Sequence, residues 1–336
     1  YHVIYIIENG RNLNMVPKSK YDLKRIAHEH GYRPEILEKV YRLLELIEML
    51  MSVPFLRNNL ALKGGTAINL FCTDKLPRLS LDADFNYIGA LDRATMLKDK
   101  GEIDRLILDI CQRNGYELYR NPRAHAGGKM VLIYQSLLGG NARLELDLNY
   151  IYRAPLWPVQ LKSSLDWLKR IEVPVLDIHE LAAGKLHALL DREASRDLFD
   201  SYDILKYWNL DNEKLRLAFT VYAGMRAQSW KKIDTSLIQF EINDVKNKLI
   251  PVLKQKLIPS TKTRLINDWA ITLTEDCIKS FSKLLPFSDQ EKTFLSCLEE
   301  DSEIRPELLS HDAQFCHSVK HHPGLLWRIK QLQHQQ

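Results

Sequence analysis

Residues 62–87 read LKGGTAINLFCTDKLPRLSLDADFNY, and this stretch limits the possible folds more than any other in the chain. Gly64, Gly65 and Thr66 open an apolar run from Ala67 to Phe71. A loop later, polar and apolar residues alternate with period two. The first pattern predicts a tight turn entering a helix and the second a strand, so helix and sheet must meet here. Glycines at 64 and 65 permit positive φ and close backbone approach, and Thr66 sets a hydroxyl beside the free N–H groups of a helix start, an arrangement that receives phosphates. The plain alternative is a helix start that needs only a tight turn and a threonine cap.

In the predicted strand, Ser80, Asp82, Asp84 and Asn86 share one face, and Leu81, Ala83, Phe85 and Tyr87 share the other. The apolar face packs. Two carboxylates at i and i+2 lie about 7 Å apart and repel unless a cation comes between them, and Mg²⁺ or Mn²⁺ suits such oxygen ligands. A solvated strand edge would have the same residue pattern.

Further along, residues 93–115 have the spacing of an amphipathic helix with Ile103, Leu106, Ile107 and Ile110 inward. Residues 129–134, a Gly139-Gly140-Asn141 turn and residues 143–150 predict a β-hairpin. Its second strand places Arg143, Glu145, Asp147 and Asn149 on one face. Residues 19–51 predict packing helices broken at Gly31, with Glu38 and Lys39 as an exposed charged pair. Residues 179–190 again have helical spacing, with Lys185 on the less apolar side. Arg196 and Asp200, at i and i+4, fit a helix ion pair.

These motifs resemble the AbiEii/AbiGii-type nucleotidyltransferase toxins, which include the MenT toxins, within the DNA polymerase β-like nucleotidyltransferase superfamily. The resemblance rests on Lys63-Gly64-Gly65-Thr66-Ala67, on Arg78 with Ser80, Asp82 and Asp84, and on the run from Ala182 to Leu189 followed by Arg192 and Arg196-Asp197-Leu198-Phe199-Asp200. It covers about residues 20 to 210. The turn is of Gly-Ser type in the family and reads Gly-Gly-Thr here. The resemblance implies that Asp82 and Asp84 are catalytic metal ligands, that Asp147 is the third carboxylate with Glu145 the alternative, and that Lys185 contacts the triphosphate. Asp197 is carried over as catalytic, as a base, a metal ligand or an organiser of Lys185. It also implies a magnesium or manganese cofactor, an NTP substrate, an RNA acceptor such as the 3′ end of tRNA, and a cognate antitoxin in a toxin–antitoxin or phage-defence system. An NTP-binding module without transfer and a metal-dependent nuclease are the rival readings.

A length of 336 residues and 45% hydrophobic content predict about two domains with ample core. The expected fold is α/β or α+β. Residues 1–18 are expected to be an N-terminal extension, its start reading as a short alternating strand or an upstream extension, residues 19–205 a catalytic domain whose small mixed sheet is flanked by helices, and residues 206–336 a mostly helical domain broken by prolines. A net charge of +4 permits a nucleic-acid partner without demanding one. Lys246, Lys248, Lys254 and Lys256, followed by Lys262 and Arg264, form a basic stretch that suits a phosphate backbone or, equally, solvated helix faces. Five scattered cysteines without a CxxC pair favour reduced thiols. No apolar run is long enough to span a bilayer, and the first residues lack a signal-peptide pattern, so a cytoplasmic protein is expected.

Overall fold

The computed structural model describes residues 16–121, 126–259 and 261–334; the strand expected within residues 1–10 lies outside them. The chain runs α1 (Lys20–His30), α2 (Pro34–Met51), α3 (Pro54–Asn59), β1 (Leu60–Lys63), α4 (Gly64–Thr66), β2 (Asp82–Tyr87), α5 (Arg93–Arg113), β3 (Glu117–Arg120), β4 (Gly127–Gln135) and β5 (Asn141–Asn149). It continues through β6 (Gln160–Ser163), β7 (Glu172–Val175), α6 (Ile178–Asp191), α7 (Ser195–Tyr207) and α8 (Asn212–Gly224). Short turns and five further helices complete it: α9 (Ile242–Asp244), α10 (Thr263–Ser280), α11 (Asp289–Ser296), α12 (Ala313–Lys320) and α13 (Pro323–Gln333).

The strands form one mixed sheet of seven in the order β3-β4-β5-β2-β1-β7-β6. β2 pairs parallel with β5 and antiparallel with β1, while β4 and β5 form the expected hairpin. The acidic strand is therefore central, with its Leu/Phe/Tyr face turned into the core: Ala83, Phe85 and Tyr87 are fully buried. α2 lies against the sheet through Leu37, Val40, Leu44 and Ile47, at the spacing an amphipathic helix requires. α5 buries Ile103 and Ile107 together with Met96 and Cys111, whereas Leu106 and Ile110 are only half-buried. One hydrophobic core runs from Leu23 through the sheet and α6–α8 to Leu325. The fold is mixed α/β with a helical C-terminal half.

Glu38 corrects the expectation of an exposed charged pair. Its side chain is buried, and it accepts hydrogen bonds from the Ser136 hydroxyl and the Leu137 amide, both at 2.6 Å. The carboxylate thereby supplies acceptors to the connection between β4 and β5, a demand that spacing along one helix does not show. The five cysteines are unpaired.

Candidate active site

Strand register assembles the acidic face. Asp84 is paired across β1 with Lys63 and across β5 with Asp147, and Asp82 is level with Glu145. Adjacent strands lie about 4.8 Å apart, so Asp84 stands between a cation and a second carboxylate. Glu145 is bound to Lys129 at 2.5 Å, which leaves Asp147 as the carboxylate free to share a ligand with Asp84. Burial raises the pKa of Asp84 most; Lys63 and Lys185 oppose the rise, while Asp82 and Asp147 add to it. Among the described residues no three metal-ligating side chains already converge on one point. The donor set nevertheless fits a hard divalent cation: all donors are oxygen, they line one face of the sheet across β2 and β5, and a desolvated carboxylate beside like charges gains most from a positive ion.

The glycine turn is shaped around that face. Gly64 has φ +69°, and a Cβ on it would lie 2.3 Å from Asp84 Oδ2. Only glycine fits there. A Cβ on Gly65 would lie 2.9 Å from Ser80 Oγ and 3.0 Å from Arg78 Nη2, so the residues carrying the Arg-Leu-Ser-Leu-Asp-Ala-Asp motif pack directly under the turn. Thr66 departs from expectation. It is fully buried, and its hydroxyl donates to the Asp82 carbonyl at 2.5 Å, which fastens turn to strand and directs the hydroxyl away from the cleft. The turn passes into a wider helical turn, Ala67–Phe71.

Beneath lies a buried charge network. Lys185 donates to Asp197 at 2.7 Å and contacts Asp200 at 3.0 Å, and all three side chains are buried. Arg192 reaches back to Asp197 at 2.6 Å. The guanidinium of Arg78, also buried, grips both oxygens of Asp200 and donates to the Leu79 carbonyl. Desolvation opposes the ionised form of each aspartate, but Arg78 and Lys185 hold Asp200 below the ordinary carboxylate range, and Lys185 and Arg192 do the same for Asp197. Arg196 and Asp200 do not pair. Arg196 instead approaches Asp82 at 4.0 Å, because Asp200 is consumed by partners 122 residues earlier and on α6. Lys185 is accordingly a buried residue rather than one on a polar helix face.

A cleft of about 420 Å³ joins these parts. Lys63, Gly64, Gly65, Asp84, Asp147 and Lys185 line one end, and Tyr152, Tyr222, Met225 and Arg226 the other. Two residues at the second end escaped the sequence reading. Glu180 on α6 is buried, accepts from the Leu156 amide at 3.0 Å and the Tyr222 hydroxyl at 3.2 Å, and has its pKa pushed up to about 8 by burial. His187 is stacked on Phe219 with ring centroids 4.3 Å apart, and burial pushes its pKa down to about 3. The available signal was that Glu180 and His187, like Lys185, are ionisable residues set among the leucines and alanines of α6.

The family model for the nucleotidyltransferase AbiEii toxin, type IV toxin–antitoxin system, matches residues 45–282, and the chain belongs to that family. It is thus a nucleotidyltransferase, with membership implying an NTP substrate and an antitoxin partner. The fold matches MenT4, a nucleotidyltransferase toxin from Mycobacterium tuberculosis H37Rv, with a TM-score of 0.54 at 16% identity over 88% of this chain and 97% of the other. No curated protein matches the sequence. No helix among the described residues is long and apolar enough to cross a membrane.

Proposed function

We propose that the chain transfers a nucleoside monophosphate from an NTP to an RNA acceptor, the 3′ end of a tRNA being the favoured one, as the toxin of a system in which a cognate antitoxin restrains it. The observation that carries this reading is Asp84 set between Lys63 and Asp147 and pressed against Gly64, where both the positive φ and the Asp84 carboxylate exclude a side chain. Asp82, Asp84 and Asp147 are the residues that would hold Mg²⁺ or Mn²⁺. Such an ion, when bound, neutralises phosphate charge and lowers the pKa of an acceptor hydroxyl.

The chain's own groups do the rest. The Gly64–Gly65 backbone lets the triphosphate approach closely, and Lys185 adds positive charge on the leaving-group side. Asp197 holds the Lys185 ammonium in place from one oxygen while Arg192 occupies the other. The acceptor oxygen bonds to the α-phosphorus as the bond from that phosphorus to the β-phosphate bridging oxygen breaks. The hydroxyl proton leaves to solvent or a nearby base, and pyrophosphate departs. Positioning and charge compensation supply most of the acceleration in such transfers.

Incubation with total RNA, Mg²⁺ and each NTP labelled at the α-phosphate tests the reading. Label should enter RNA. Shortened RNA would indicate a nuclease, and intact unlabelled RNA beside bound NTP a module that only binds.

A further inference from the structure

A second groove, of about 510 Å³, lies behind α7. On that helix Asp197 and Asp200 face the charge network, while Phe199 and Tyr202, near-opposite in helical phase, line the groove. The groove and the carboxylate cleft are therefore separated by about one helix diameter, roughly 10 Å. The loop that carries Arg78 to Asp200 also contributes Lys75 and Pro77 to the groove wall.

Two kinds of group meet there. Tyr202, Tyr207 and Trp269 offer aromatic surface, and Tyr207 is 54% exposed. Lys75, Lys254 and Lys256 offer positive charge, with no carboxylate within ion-pair distance among the described residues; Lys75 lies 5.4 Å from the Tyr207 ring centre. The two acids in the wall are already engaged: Asp276 is paired with Lys206 at 2.7 Å, and Asp203 accepts from the Trp208 indole at 3.0 Å. The basic stretch read from sequence is thereby divided. Lys248 is neutralised by Asp244 and Lys246 bonds to Thr263, whereas Lys254 and Lys256 join the aromatic groove.

We propose that this groove binds a single-stranded segment of the RNA acceptor, its bases stacked on Tyr207, Tyr202 and Trp269 and its phosphates met by Lys75, Lys254 and Lys256. An exposed tyrosine with two half-buried aromatic rings beside it, interleaved with cations that lack a carboxylate partner, is the chemistry that holds single strands without reading their sequence. The inference rests on the proposal that the acceptor is RNA.

The test is fluorescence anisotropy of the full chain with a labelled single-stranded oligouridylate over a salt series, beside calorimetric NTP binding. Tyr207→Ala should weaken the oligonucleotide roughly fivefold or more, and Lys75→Glu with Lys256→Glu should weaken it and flatten its salt dependence. NTP affinity should stay at the wild-type value for both. Oligonucleotide affinity unchanged in both variants, or no binding by the wild type at low salt, overturns the groove, as does equal loss of NTP affinity. Label transfer by the wild type is scored separately. If label enters RNA while the variants bind like wild type, only the groove falls; if the variants lose oligonucleotide affinity but the wild type labels nothing, the transfer reading falls and with it the acceptor role of the groove, which remains a single-strand binding surface.

Discussion

Gly64 shows how a short motif can be right for a second reason. Its flexibility was readable from sequence, but the neighbour that demands it was not, because Asp84 reaches it only through the β1–β2 pairing. Gly64→Ala should meet both the positive-φ penalty, on the order of 1–2 kcal/mol, and displacement of the Asp84 carboxylate. Transfer from labelled NTP is expected to fall below detection, with a modest loss in urea midpoint; full activity would show that Asp84 is free to move without consequence. Asp84→Asn should separate chemistry from folding: it removes a desolvated charge from beside Asp82 and Asp147, so transfer should be lost while the urea midpoint holds or rises. Thr66 is the instructive miss. Capping residues are recognised by type, but which acceptor wins the hydroxyl depends on the strand packed over it, here through the Asp82 carbonyl.

At the scale of elements, periodicity made the hairpin, the acidic strand and the α2 and α6 helices legible, since period and turn residues are local properties. The ion-pair network was not. Arg78 and Asp200 are far apart in sequence, and the i,i+4 rule pointed Asp200 at Arg196, although a buried guanidinium offers two well-aligned donors where a surface pair gains a few tenths of a kcal/mol. The aspartates of α7 should therefore differ in kind. Asp200→Asn leaves Arg78 buried with half its partner and should cost on the order of 3–5 kcal/mol, read in urea unfolding. Asp197→Asn keeps Arg78 paired and leaves Lys185 one carboxylate, Asp200, so it should instead lower kcat/KM for NTP by shifting the Lys185 ammonium. Equal destabilisation by the two would mean that the network acts as one structural unit and that Asp197 has no separate part in the reaction.

Over the whole molecule, the joint between α6 and α8 makes stability depend on pH from both sides. Glu180 and His187 are both buried on α6 where it packs against α8, and both are held neutral by desolvation. For Glu180 the folded state keeps its proton up to about pH 8, whereas an unfolded chain releases it near 4.5. Between these values the folded form binds more protons, so this contribution is complete below pH 4.5 and disappears as pH rises through 8. His187 acts in the opposite sense: its pKa falls from 6.5 to about 3 on folding, so its contribution is present above 6.5 and is lost as pH drops toward 3. Glu180→Gln isolates the first. The amide oxygen can accept from the Leu156 amide and the amide nitrogen can donate to the Tyr222 oxygen, which keeps both contacts without an ionisable group. Urea midpoints measured from pH 5 to 9 should fall for the wild type between about pH 6.5, where the opposing His187 contribution is complete, and pH 8, and should not fall for the variant. The gap should widen with pH to on the order of a few kcal/mol above pH 8. Parallel curves would show that Glu180 carries its charge in the folded protein and that the joint tolerates it.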